Sequence, residues 1–365
     1  MAGKDAMIAR RKTRQIRIGP VAVGGGAPIS VQSMTNTPTH DVDATAAQIR
    51  SLAAARCDIA RVAVPDEKAA RALPEILRQS PLPIVADIHF DYRLALAALE
   101  AGVAALRINP GNIGGRKRVE TVVAAARERG TPIRIGVNAG SLERPLRTRV
   151  AAGGLSLAEA MVESALGHIR ILEDLNFHDI KVSLKASDVV TTVEAYRRLA
   201  TRCDYPFHVG VTEAGTIRTG TIKSAAGIGI LLMDGLCDTI RVSLTGPVEE
   251  EVRVARRLLQ AMGEREDEPV LVSCPTCGRV SIDVVGLAEK VEKMLESVRE
   301  PLHVAVMGCE VNGPGEAREA DLGIAGGGGK AIIFRKGKIV RRCGKSEILA
   351  VFKEELDGLL GRPHK

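Results

Sequence analysis

The sequence predicts an α/β chain: a TIM-type (β/α)8 barrel followed by a smaller α+β domain. Three observations lead there. Eight short β-branched runs alternate with Ala- and Leu-rich stretches of helical spacing between residues 28 and 246. That rhythm suits a barrel of about 250 residues, whereas a doubly wound open sheet usually carries fewer strands and a glycine-rich first turn. The polar segment EREDEP (264–269) then breaks the alternation, and a different order of elements follows it. The expected domains are residues 1–263 and 264–365.

In chain order, the barrel strands are expected at PISVQSMT (28–35), IARVAV (59–64), PIVADI (83–88), ALRINP (105–110), PIRIGVNA (132–139), IKVSLK (180–185), FHVGVTEAG (207–215) and DTIRVSLTG (238–246). Between them, stretches such as ATAAQIRSLAAARC and VETVVAAARERG repeat apolar residues with the period of one helix face. The longest interval separates the fifth and sixth runs and holds the loop SLERPLRTRVAAGGLS and the helix LAEAMVESALGHIRILEDLNF. VEEEVRVARRLLQAMG reads as the closing helix. Beyond the linker come a strand (VLVSC), a helix (GLAEKVEKMLESVRE), a strand (HVAVMGC), a hairpin (AIIFRKGKIV) and a final helix. GGGG at 326–329 reads as a flexible turn, because no GK[ST] follows to make a phosphate loop.

Composition narrows the function. Aromatics are 2% with no Trp, so the core is aliphatic and stacking platforms for nucleic acid are lacking. The net charge of +7 is spread along the chain, which reads as a solvated surface or a preference for anionic small molecules and acidic proteins. The basic N-terminus has no apolar signal region, and no run approaches the ~20 apolar residues of a membrane span. Seven cysteines without an export signal imply reduced thiols and a cytoplasmic location.

In a barrel of this kind, chemistry gathers at the C-terminal ends of the strands. Those ends carry Gln32, Ser33, Thr35, Arg61, Asp87, His89, Arg107, Asn109, Arg134, Asn138, Ser183, Lys185, Thr212, Glu213, Arg241 and Ser243. Arginines on four different strands converge as an anion clamp, since guanidinium forks match phosphate oxygens bidentately. The competing reading pairs each arginine with Asp87, Glu213 or another carboxylate as an internal bridge. Cations outnumber acids at the rim, which favours a phosphorylated or diphosphorylated ligand. His89 and His208 read equally as acid–base groups or as structural histidines.

The second domain carries CPTC (Cys274, Cys277) and, farther on, Cys309 in GCEVNGPGE (308–316). A zinc ribbon needs a second ligand pair, and none follows Cys309 at the usual spacing. A thioredoxin-like dithiol leaves Cys309 unused. An iron–sulfur cluster accepts three thiolates and one different ligand. Glu316 stands seven residues after Cys309 across a Gly-Pro-Gly turn, either as that weaker fourth ligand or as an exposed turn carboxylate. Cys343, the remaining thiol of this domain, keeps a four-thiolate site open.

These residues carry a resemblance. VQSMTNTPTHDVDAT, CDIARVAVP, PIVADIHFDYRLALAA, LRINPGNIG, PIRIGVNAGSL, VSLKASDV, HVGVTEAG, CDTIRVSLTG, CPTCGR and MGCEVNGPGEA follow one another nearly end to end. Together they resemble the 4-hydroxy-3-methylbut-2-enyl diphosphate synthase family of the methylerythritol phosphate route to isoprenoids. The resemblance implies a TIM barrel joined to a [4Fe–4S] domain akin to those of sulfite reductases. It implies reductive ring opening and dehydration of 2-C-methyl-D-erythritol 2,4-cyclodiphosphate, with electrons from flavodoxin or ferredoxin, in a homodimer. Its cluster ligands fall on Cys274, Cys277, Cys309 and Glu316. The cyclic diphosphate would be bound by Arg61, Arg107, Arg134, Asn138, Lys185, Arg241 and Ser243. The family's acidic segment before the eighth strand reads LLMDGLCD here, with Asp234 for Glu and Cys237 for Gly, so the proton donor is Asp234, Glu213 or Asp87. A zinc-stabilised barrel enzyme or a basic binding protein is the alternative.

Overall fold

The computed structural model describes residues 8–109, 111–309, 317–327 and 330–362. It divides into two compact units, Met1–Glu264 and Arg265–Lys365. The first opens with a hairpin that the sequence reading left out, β1 (Ile16–Ile18) and β2 (Val21–Val23). Then β3 (Ser30–Met34), α1 (Val42–Ala54), β4 (Ile59–Ala63), α2 (Glu67–Gln79), β5 (Ile84–Asp87), α3 (Tyr92–Ala101), β6 (Ala105–Ile108), α4 (Arg116–Glu128) and β7 (Ile133–Asn138) alternate. A 3-10 turn (Ala139–Ser141), α5 (Arg144–Ala151) and α6 (Leu157–Glu173) fill the long interval. The unit ends with β8 (Ile180–Lys185), α7 (Val189–Ala200), β9 (His208–Val209), α8 (Ile217–Met233), β10 (Thr239–Ile240) and α9 (Val248–Ala261).

The parallel ladder runs β8-β7-β6-β5-β4-β3-β10-β9, and a parallel bridge between Val182 and Phe207 joins its two ends. This is a TIM barrel. Helix starts are set locally: Asp41, Asp66, Asp91 and Asp188 each accept an N–H of the first turn, and Ser156 with Glu159 forms a full capping box. β9 and β10 are shorter than their β-branched runs suggest. Beyond Val209 the chain turns through Gly210 and reaches Glu213 at φ +52°, which no ladder residue adopts.

Alternation along the strands decides what the barrel contains. Ile133, Ile135 and Val137, or Ile180, Val182 and Leu184, pack outward into the core shared with the helices. The residues between them point inward, and most are polar. Only the lowest inner layer is apolar, where Ile59, Val85 and Ala105 meet Ile16, Ile18 and Val23 of the hairpin.

The second unit is a five-stranded sheet, β11 (Val270–Ser273), β12 (His303–Met307), β13 (Leu322–Gly327), β14 (Lys330–Arg335) and β15 (Lys338–Cys343), with α10 (Val284–Leu295) and α11 (Ile348–Leu359). The first three strands are parallel and the last two antiparallel. The glycine-rich stretch is corrected here. Gly326 and Gly327 belong to β13 and pair with β14, while Gly328 and Gly329 lie outside the described residues. A Cβ at Gly323 would stand 2.1 Å from the Phe334 ring, and one at Gly326 would stand 2.4 Å from Ser281 Oγ. Among the described residues, no helix is long and apolar enough to cross a membrane.

Candidate active site

Arg61 on β4, Arg107 on β6, Arg134 on β7 and Lys185 on β8 all point inward and are buried, Arg107 and Lys185 near the ends of their strands and Arg134 deeper, second in β7. Burying that many cations without partners is unfavourable, and the structure answers with one shared carboxylate. Asp87, at the end of β5, lies 3.6 Å from Arg61 Nε and accepts from Arg107 Nη1 at 3.1 Å. Burial alone would raise its pKa, but Arg61, the His89 contact, Arg107 and Arg134 outweigh that and hold it well below the usual carboxylate range. Asp87 is thus a shared anchor for Arg61 and Arg107 that favours its ionised form. His89 stands half-exposed above it, with its ring nitrogens 3.1 and 3.3 Å from Arg107 Nη1.

Arg241 follows β10 and lies 3.6 Å from Glu251 Oε1. Glu251 comes from α9, is buried, and also accepts Ser33 Oγ at 2.8 Å and the Leu244 N–H at 3.1 Å. Arg134 is different. Its Nε and Nη1 are buried with no hydrogen-bond partner, and burial, Arg61 and Arg107 pull its pKa far down. Lys185 is pulled down by burial, Arg241 and Arg134. Two inward glycines make room for these long chains. A Cβ on Gly136 would meet Arg107 Nε at 2.7 Å, and one on Gly210 would meet Lys185 Nζ at 3.2 Å.

Asn138 and Ser243 sit half-buried at the ends of their runs, on the same rim. Glu213 is exposed there, and its left-handed backbone is a local strain of the kind that accompanies functional positions. Asp234 does not join them. It caps the C-terminus of α8, and Arg197 holds it through bonds of 2.7 and 3.2 Å. The next carbonyl, Gly235, accepts from Arg11 of the N-terminal segment, at the end of the barrel where strands begin. A helix returning from a parallel strand ends opposite the mouth, and Asp234 stands at that end.

His208, inward on β9, is fully buried, and neither ring nitrogen has a partner. Burial first, and then Arg134, push its pKa well below the usual imidazole range. Sequence reasoning missed Glu251, which a helix rather than a strand delivers, and Lys181, which the period of two in IKVSLK places on the same inner face as Lys185. It also missed Glu143, which accepts Ser164 Oγ at 3.0 Å and lies 2.9 Å from His168 Nε2, off the line of a hydrogen bond.

In the second unit, Cys274 follows β11 and Cys309 follows the neighbouring parallel strand β12. Cys274 Sγ accepts the Gly308 N–H at 3.1 Å, and the Gly308 carbonyl accepts the Ser281 N–H at 2.9 Å. A side chain at Gly308 would press on Val280 and Val284, each 2.9 Å away. Cys277 is exposed, and the Arg279 N–H and guanidinium shift it toward thiolate. Sulfurs that accept backbone N–H groups on Gly-lined turns fit an iron–sulfur site. Cys343 ends β15, buried three strands away from β12, which separates it from these thiols. Glu316 lies outside the described residues. Among those described, no three Cys, His, Asp or Glu side chains already form a metal site.

Residues 13–256 match the GcpE TIM-barrel domain, and residues 270–358 match the GcpE protein C-terminal domain. The chain is 60% identical over 355 residues, 97% of its length and 100% of the relative, to 4-hydroxy-3-methylbut-2-en-1-yl diphosphate synthase (flavodoxin) of Geobacter sulfurreducens. It is 57% identical over 352 residues to the protein of that name from Maridesulfovibrio salexigens, covering 96% of this chain and 98% of the relative. A Geobacillus kaustophilus protein of the same name is 56% identical over 353 residues, 97% of this chain and 94% of that one. These names fit the reductive synthase and not the zinc-stabilised alternative.

Proposed function

The chain belongs to the GcpE family of 4-hydroxy-3-methylbut-2-en-1-yl diphosphate synthases, and we propose that its barrel mouth binds the cyclic diphosphate while its second unit holds a [4Fe–4S] cluster. Its reaction is the reductive ring opening and dehydration of 2-C-methyl-D-erythritol 2,4-cyclodiphosphate in isoprenoid biosynthesis. The observation that carries the binding assignment is the charge balance of the mouth. Among the described residues, Arg61, Arg107, Arg134, Lys185 and Arg241 have Asp87 and Glu251 as the buried carboxylates within 4 Å of any of them. A dianionic diphosphate offsets most of that positive excess.

Arg61 and Arg107 are held by Asp87 and form the fixed wall of the site. Arg134, with free donors, and Lys185 and Arg241 take the phosphate oxygens bidentately or singly. Asn138 and Ser243 orient the erythritol carbon skeleton from the rim. Glu213 holds the proton that its carboxyl passes to the hydroxyl oxygen departing as water. Cys274, Cys277, Cys309 and Glu316 would hold the cluster, which when bound supplies electrons singly and a Lewis-acidic iron. The reductant is flavodoxin, with ferredoxin as a substitute, and the positive balance of the chain suits an acidic donor. The enzyme works in the cytoplasm as a homodimer, a state that sedimentation in solution measures directly.

Anaerobic purification tests this reading. A brown protein with about four irons per chain, turning over the cyclic diphosphate with reduced flavodoxin, is expected. A colourless protein holding one tightly bound zinc overturns it.

A further inference from the structure

One layer beneath the mouth lies a lysine that the mechanism above does not use. Lys181 points inward from β8 with Ser183 and Lys185, and it is 2% exposed. The ladder sets it beside Arg134 of β7, which is itself beside Arg107 of β6. Its one hydrogen bond goes from Nζ to Thr239 Oγ1 of β10 at 3.3 Å, and among the described residues no carboxylate pairs with it.

The groups around it supply no counter-charge. Arg134 faces it from β7 and Arg61 from β4, and each disfavours a second positive charge, while His208 of β9, itself pushed toward the neutral form by burial, offers no anion. Gln32 of β3 shares its cavity wall, with both amide atoms unpartnered. From below come Ile16 and Ile18, and the gap they leave has no room for a water molecule. Among the described residues, Asp238, just before β10, is the acid acting in the other direction. It is already engaged by Arg10 at 3.2 Å, by Thr13 at 3.3 Å and by the Phe207 N–H at 2.8 Å. A dry ammonium without an anion is strongly disfavoured, and a lysine, unlike an arginine, escapes by losing its proton.

A diphosphate arriving at Arg134 and Lys185 changes that balance, because its charges act across a water-poor interior where screening is weak. We propose that Lys181 is a positioning residue for the diphosphate, neutral in the free enzyme and protonated from solvent as the anion binds, so that its charge completes the clamp from below. The inference rests on the substrate reading above. The cyclic diphosphate suits the test because each of its phosphorus atoms carries a single, strongly acidic hydroxyl, so the ligand brings no titrating proton near neutrality.

The experiment is calorimetric titration of the anaerobic holoenzyme with cyclic diphosphate, without reductant, at pH 8 in buffers of contrasting ionisation enthalpy. Wild type is expected to take up about one proton more than Lys181→Met, and the variant to bind about tenfold or more weakly. Lys181→Arg, whose charge is permanent, should recover affinity without recovering the proton. A lysine that only fills space would change stability and leave the proton count alone, so equal uptake in wild type and in either folded variant overturns the proposal. Failure of wild type to bind the cyclic diphosphate at all defeats the substrate reading itself, a different outcome from binding with an unchanged proton count.

Discussion

The barrel mouth and the thiol-bearing turns of the second unit hold their chemistry in opposite ways. Arg61, Arg107, Arg134 and Lys185 stand on strands whose register is fixed by ladder bonds, and all are 4–6% exposed. Cys277 stands on a turn, exposed, and Cys274 and Cys309 are half-buried just past their strands. Side chains on strands are placed by the fold before any ligand arrives, whereas groups on turns are placed by what they bind. The anion site is thus a property of the folded barrel, and the metal site a property of the loaded enzyme. Separating the two by mutation is the way to break this comparison.

The largest effect is expected at the thiols. Cys277→Ala or Cys309→Ala should lose most of the iron and lower turnover by roughly a thousandfold or more, because a [4Fe–4S] cluster is held by its thiolates. Binding of cyclic diphosphate should change less than about threefold, since the barrel needs no metal to assemble. Iron analysis alongside equilibrium binding separates the outcomes. Loss of diphosphate binding together with iron would mean that the two sites are not independent.

Next comes the clamp. Arg134→Ala removes the guanidinium with free donors and should raise KM or Kd for the cyclic diphosphate by about a hundredfold, with iron content unchanged. Unaltered kinetics would take Arg134 out of the site. Glu213 and Asp234 then sharpen the comparison within the barrel. Glu213→Gln should lower kcat by about a hundredfold or more with little change in KM, as removal of a general acid does. Asp234→Asn should leave kcat where it was, because its partner is Arg197 on the outside of the molecule. A fall in kcat at Asp234 with none at Glu213 would reverse the assignment.

Much of this was legible in the sequence for a simple reason. Period-two alternation tells inner from outer strand positions, and cations at inner positions have little to do in a barrel except bind something. Arg134 and Lys185 were legible as cations within the β-branched runs IRIGVN and IKVSLK, whereas the alternation that sets Lys181 on the same inner face shows only in the folded strand. What the sequence could not supply was position around and along the barrel. Glu251 reaches Arg241 from a helix that follows the last strand, so only closure of the ladder brings them together. Asp234 looked catalytic by motif, yet the direction of a returning helix puts it at the far end. Gly326 read as part of a turn because what fills the space beside it, Ser281 and the Gly308 carbonyl, comes from distant segments of the chain. For Glu316 the sequence remains the argument, since that residue lies beyond those the structure describes.

The smallest effect concerns the wall below the rim, and its sign can be worked out. Glu143 ties the segment after β7 to α6, and the His168 ring, with help from Ser164, pulls its pKa from 4.5 to about 2 against the opposing effect of burial. A carboxylate whose pKa is lower in the folded protein than in the unfolded chain contributes stability that is complete above the unfolded value. That contribution fades as pH falls through the folded value. The window is therefore pH 4.5 down to about 2. Glu143→Gln should lower Tm by a small, constant amount above pH 4.5, and the two curves should converge as pH approaches 2. Because Glu143 is partly open to solvent, the difference should also shrink in high salt. Thermal scans across that range measure it. Parallel curves down to pH 2 would mean that the glutamine disturbs packing and that the charge contributes nothing.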